Sequence, residues 1–200
     1  MNFELTDEQS IIVNTTRHFL EKEIYPHEKI VEKTGEVPRE LGAEIAKKCK
    51  AIGFFAANFP EELGGGGMNH LEFTLLEREL GRGSNALTVF FGRPSGILMA
   101  CNDLQKDKYL IPAIKGEKFD ALAMTEPGAG SDVRGMECNG QRKGGDWIVN
   151  GTKHFISHAD IADFVIVFIA TGEEETEKGK KKKISCFLVD RGKPGFEICS

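Results

Sequence analysis

A chain of 200 residues with 40% apolar side chains can bury one large core or two small ones. Its net charge of −5 argues against a dedicated nucleic-acid or membrane-surface binder. No run approaches the roughly 18 apolar residues of a membrane-spanning helix, and the acidic opening, with Asp7 and Glu8, lacks the basic start and apolar stretch of a secretory signal. The cysteines (Cys49, Cys101, Cys138, Cys186 and Cys199) are odd in number and show no C-x-x-C spacing, which reads as reduced thiols in a cytoplasmic protein.

Residues 1–118 pattern as helices. Thr6-x-x-Gln9 predicts a capping box, followed by Ile12, Phe19, Leu20 and Ile24 up to a stop at Pro26. Pro38 opens a second helix carrying Leu41, Ile45, Cys49 and Ile52, closed by Gly53. Gly64 to Gly67 resembles a phosphate cradle, but no lysine follows at P-loop spacing, so a flexible turn is expected. Asn69 caps a third helix through Phe73, Leu76 and Leu80 to Gly81. A fourth, from Ser84 to Cys101, is perturbed by Pro94, and a fifth starts near Asp103 and is stopped by Pro112 and Gly116. Phe90, Phe91, Leu98 and Met99 read as core more than as pocket lining.

Beyond residue 118 the period changes. Ala121–Met124, Trp147–Val149, Phe164–Ile169, Ile184–Val189 and Phe196–Ile198 read as strands, and their spacing without helices between them predicts an antiparallel sheet or barrel over 119–200. The charged run from Glu173 to Lys183 reads as a long solvated hairpin loop. The whole is an α+β chain: a helical domain over 1–118, then an incomplete antiparallel β-barrel or sandwich.

The segment with most chemistry is Met124-Thr125-Glu126-Pro127-Gly128-Ala129-Gly130-Ser131-Asp132, whose glycines and hydroxyls suit close approach by a ligand. It is not a dinucleotide fingerprint, because Val133 stands where the third glycine belongs and strands follow. A second segment, Asn150-Gly151-Thr152-Lys153-His154-Phe155-Ile156-Ser157, reads as a turn and a short strand, with Phe155 and Ile156 offering apolar surface to a planar ring and Ser157 a hydroxyl at its edge. His154, His158 and Asp160 lack the helical context of a zinc site, and Ser157, His158 and Asp160 sit too close in sequence for a nucleophilic triad. No metal is expected.

These two segments, with Gln105–Pro112 and Phe187–Asp190, resemble the flavin-dependent acyl-CoA dehydrogenases along essentially the whole chain. The resemblance implies FAD bound against the middle β-domain and an acyl-CoA substrate losing two hydrogens from its Cα–Cβ bond: the α-proton goes to a glutamate and the β-hydrogen leaves as hydride to flavin N5. By position, Leu122, Ala123, Met124, Thr125, Gly130 and Ser131 run along the flavin. Thr125 donates to its polar edge, and Ser131 also meets the CoA thioester arm. Phe155, Ile156 and Ser157 line the opposite face. Phe155 replaces the family's more frequent tryptophan, His158-Ala159 its common Asn-Gly, and at Thr171-Gly172 the match to an Arg-Ser pair fails.

The resemblance also implies a C-terminal helical domain that this chain lacks. That domain carries the catalytic glutamate, so no carboxylate here is assigned as the base and Glu126 is read as structural. It further implies an electron-transferring flavoprotein as acceptor and a homo-oligomer at full length, in fatty-acid metabolism. An oxidase or reductase on the same flavin site, or a non-enzymatic binding module, is the competing expectation.

Overall fold

Helix α1 (Asp7–Phe19) starts where Thr6 Oγ1 accepts the Gln9 N–H and Gln9 Oε1 accepts the Thr6 N–H, a reciprocal capping box. The chain is described by a computed structural model for residues 4–177 and 179–199. It divides into two units, one ending at Glu117 and the other beginning at Lys118.

In the first unit, the prolines expected to stop helices do not stop them. Leu20–Ile24 forms a wide π turn after α1, and α2 (Tyr25–Thr34) continues with Pro26 in its first turn until left-handed Gly35 closes it. Lys106–Leu110 repeats the device before Pro112: α6 (Asp103–Gln105) passes through the π turn into α7 (Ile111–Ile114). In both cases the N–H of the residue preceding proline reaches back five residues, Tyr25 to Leu20 and Ile111 to Lys106. The wider turn takes up the missing proline donor and relieves the clash of its ring with the preceding turn.

Helix α3 (Arg39–Ala51) begins after Pro38, and α4 (His70–Leu80) begins at a second capping box formed by Asn69 and Glu72. The fourth expected helix is broken: α5 (Asn85–Thr88) gives way to short 3-10 turns at Val89–Phe91 and Gly96–Ala100. Phe91 and Leu98 are buried, with Phe91 edge-on to Phe19 at 4.9 Å, whereas Met99 is 41% exposed. The glycine run is rigidly placed. The N–H groups of Gly64, Gly65, Gly66 and Gly67 all donate to backbone carbonyls, and a Cβ on Gly65 would lie 2.2 Å from the Phe59 carbonyl oxygen. Its donors are spent within the fold, so it cannot cradle a phosphate.

The second unit is built on β4 (Phe164–Thr176), whose β-branched and aromatic run is buried at both faces. β5 (Gly179–Asp190) pairs antiparallel along its whole length. The opposite edge is shared by two strands. β1 (Asp120–Ala123) runs parallel to Phe164–Val167, and β2 (Asn139–Lys143) meets it, also parallel, at Ala170. β3 (Asp146–Asn150) forms an antiparallel hairpin with β2. The sheet is therefore mixed, where the strand spacing alone suggested antiparallel throughout: the long segment between β1 and β4 brings β1 back beside β4 in the same direction.

Two local expectations need correction. Phe196–Ile198 is not a strand, although Phe196 packs on the sheet core of Ala121, Ala123, Val165, Val167 and Ile169. The charged run is not a loop but strand. Glu173, Glu174 and Glu175 stand opposite Lys182, Lys181 and Lys180, so opposite charges face across each rung. Lys178, within that run, lies outside the described residues.

Candidate functional site

Residues 124–138 leave β1 at the rung of Val167 and return to β2 at the rung of Ala170, so both ends of the loop rest on one edge of β4. Its apolar residues Ala129 and Met136 are buried against Ala170, with Val133, Phe168 and Ile184 packed around them. Arg134 Nη1 donates to Glu174 Oε1 and to the Lys182 carbonyl, each at 3.0 Å, and Lys182 Nζ donates to the Met136 carbonyl at 2.6 Å. The charged hairpin thus holds the loop's far side, a role its composition did not announce.

Glu126 closes the neck of the loop. The residue is 6% exposed, and its carboxylate accepts the N–H groups of Glu137 and Cys138 and, at 2.7 Å, the ammonium of Lys153. Burial alone would raise this carboxyl, but the donors from Lys153, Glu137 and Cys138 outweigh it and hold it below the ordinary glutamate range. Cys138 responds in the other sense, its thiol raised chiefly by burial. No buried side-chain polar atom is left without a partner among the described residues.

Lys153 also donates to the Met124 carbonyl at 2.9 Å, and the His154 N–H donates to the Thr125 carbonyl at 2.8 Å. These two bonds bring the segments singled out in the sequence side by side. Lys153 arrives there because Gly151 lets the chain turn tightly over Cys138: its φ is +140°, and a Cβ would come within 2.6 Å of the Cys138 Cα.

The Phe155–Ser157 segment is not the expected strand. Phe155 and His158 both adopt left-handed φ values, +56° and +64°, which interrupts any ladder. The Phe155 ring is 83% exposed and stacks on His154 at 3.7 Å, while Ile156 packs against the sheet core. A bulky residue held left-handed is strained, and here the stack on the neighbouring His154 is set against that strain while most of the ring stays in solvent.

The remaining expected residues divide by environment. Leu122 is 44% exposed, whereas the Ala123 side chain is buried in the sheet core and leaves only its backbone for a ligand. Met124 and Thr125 are half-buried, and Gly130, Ser131 and Ser157 are exposed. Gly130 has open space where a Cβ would stand, so the chain's own packing does not require a glycine there. Met124, Thr125 and the start of the Phe155 segment are joined by the bonds above; Gly130 and Ser131 lie past the Glu126–Ala129 backbone bridge. A cleft of about 440 Å³ opens instead between Pro127-Gly128 and Asn150-Gly151-Thr152, and none of the expected ligand residues lines it. Among the described residues no three His, Cys, Asp or Glu side chains gather to hold a metal ion.

Comparison with known proteins places this arrangement. The family model for the acyl-CoA dehydrogenase N-terminal domain matches residues 6–117, and that for the acyl-CoA dehydrogenase middle domain matches residues 121–200. The chain belongs to the acyl-CoA dehydrogenase family. It is 37% identical to a 3-(aryl)acrylate reductase of Clostridium sporogenes, covering 96% of this chain and 50% of that protein. It is 35% identical to the benzylmalonyl-CoA dehydrogenase of Aromatoleum aromaticum (99% and 51%) and 33% identical to the caffeyl-CoA reductase-Etf complex subunit CarC of Acetobacterium woodii (96% and 50%). Among solved structures, a putative acyl-CoA dehydrogenase of Mycobacterium smegmatis superposes with a TM-score of 0.82 at 32% identity, covering 98% of this chain and 51% of that one. A glutaryl-CoA dehydrogenase of the same organism, in complex with FADH2, gives 0.80 at 27% identity, covering 96% and 48%. The chain spans about half the length of the curated relatives it matches.

Proposed function

We propose that this chain forms the flavin-facing part of an enzyme that moves hydrogen between FAD and the Cα–Cβ bond of an acyl-CoA thioester. The observation that carries the reading is the bonding of residues 124–125 to 153–154, next to Phe155. It sets half-buried Met124 and Thr125 beside a strained, 83% exposed Phe155. Flat apolar surface next to the Thr125 hydroxyl, with the Ser131 and Ser157 hydroxyls left unbonded by the described residues, fits a planar ring with a polar edge. The complex of a related glutaryl-CoA dehydrogenase with FADH2 supports that ring being a flavin.

When bound, FAD supplies the hydride-accepting centre. Phe155 and Ile156 exclude water from one side of the ring, Leu122, Met124 and Thr125 bind it from the other, and Ser131 orients the thioester arm. Glu126 is not the base. Lys153 and two peptide N–H groups donate to its carboxylate, stabilise the charged form and make it a weak proton acceptor. The family resemblance implies that the α-proton passes to another carboxylate, carried by a C-terminal domain.

The names of the C. sporogenes and A. woodii relatives favour a second reading in which the same site runs in the reductive direction on an α,β-unsaturated acyl group. CarC's place in an Etf complex supports an electron-transferring flavoprotein as redox partner. A cytoplasmic homo-oligomer acting in fatty-acid metabolism completes the proposal. The test is a flavin titration of the purified chain followed by addition of acyl-CoA. Weak FAD binding without bleaching of the flavin band is expected; stoichiometric flavin with acyl-CoA-dependent bleaching would overturn the assignment of the base elsewhere, and no FAD binding at all would overturn the flavin site.

A further inference from the structure

Lys153 sits at a junction that neither the loop motif nor the sheet requires. Three stretches of chain without regular structure meet there: the start of the loop at Met124 and Glu126, the entry to β2 at Glu137 and Cys138, and the exit from β3 at Gly151 to Lys153. Topology delivers them together. Asn139 and Asn150 are the last paired rung of the β2–β3 hairpin, so Cys138 and Gly151 are the next pair outward, and the Cys138 carbonyl is fastened to β4 by the Ala170 N–H at 2.9 Å. The Lys153 side chain is 9% exposed and that of Glu126 4%.

We propose that Lys153 is a positioning residue for the flavin site, holding the loop carrying Thr125 at a set distance from the segment carrying Phe155; this rests on the flavin reading above. Its ammonium bonds both the Met124 carbonyl and the Glu126 carboxylate. The next residue adds the His154-to-Thr125 backbone bond, and the one after that is Phe155 in its left-handed conformation. A side chain two residues away thus sets the angle from which the Phe155 ring projects. Glu126 is the counter-charge that lets an ammonium reside there, and its grip on the Glu137 and Cys138 N–H groups fixes that counter-charge to the sheet.

The test uses the 200-residue chain titrated with FAD, following flavin fluorescence and the visible circular dichroism of bound flavin at saturation, with thermal melting measured separately. Lys153→Met removes both bonds, Lys153→Arg retains a cation, and the double variant Lys153→Met/Glu126→Gln removes both charges so that no unpaired ion is left buried. For the double variant a melting temperature near that of the parent is expected, with FAD affinity lower by about tenfold and an altered dichroic band. Lys153→Arg is expected to recover most of the affinity. Ile45→Val, which trims the core of the helical unit and leaves every residue of the β unit in place, serves as the control: it lowers the melting temperature and leaves the dichroic band unchanged. If the parent binds FAD and the folded double variant binds it with the same affinity and band, the positioning role is overturned while the flavin reading stands. A parent chain that fails to bind FAD removes both.

Discussion

Among the described residues the two units each bury one carboxylate, and they use it differently. In the helical unit Glu79, 1% exposed, receives the guanidinium groups of Arg17, Arg78 and Arg82 at 2.7 to 3.0 Å, all three half-exposed. In the β unit Glu126 receives one lysine, its side chain only 9% exposed, and two peptide N–H groups. Glu79 ties together α1 and α4, which have their own caps and apolar faces. Glu126 organises a loop with no ladder of its own. Redundant, solvated partners suit a staple between finished elements; a single buried partner suits a junction that must hold one geometry.

The largest expected break in this comparison is Glu126→Ala. It leaves the Lys153 charge buried and two peptide donors open, at a cost of about 3–5 kcal/mol in urea unfolding of the chain. Glu79→Ala is expected to cost less, about 1–3 kcal/mol, because the three arginines freed by it already reach water; a loss equal to that of Glu126→Ala would erase the distinction. Acid sharpens it. Arg17 foremost draws the Glu79 carboxyl down to about 2 against the penalty of burial, and Glu126 is lowered too. The stability each lends is complete above the unfolded carboxyl value of about 4.3 and is lost as pH falls through the folded value. For Glu79 the loss should run from about pH 4.3 down to about 2, followed by helical circular dichroism against pH. Arg17→Ala should have the smallest effect in the same urea assay, since Arg78 and Arg82 remain on the carboxylate.

Legibility in the sequence followed the range of the interactions. The capping boxes at Thr6 and Asn69 were readable because cap and partner lie three residues apart. The run Phe164–Ile169 was readable because a strand buried on both faces is apolar at successive positions. Pro26 and Pro112 misled, since a proline's usual effect presumes a regular turn before it, and here that turn is widened. The acidic and basic run misled for a related reason: charge suggested solvent, but cross-strand register turned it into paired rungs and gave Arg134 and Lys182 their grip on the loop.

By itself the sequence determined the helical and β halves, the loop motif from Met124 to Asp132 and the companion segment around Phe155, because periodicity, caps and glycine placement act within a few residues. Only the tertiary structure decided that β1 lies parallel to β4, that Glu126 closes its own loop, and that Lys153 and His154 bond to Met124, Glu126 and Thr125 just before the left-handed Phe155. Those partners are separated by 27 or more residues along the chain wherever Lys153 is involved. No local preference of the backbone can choose among contacts at that range; the shared edge of β4 does.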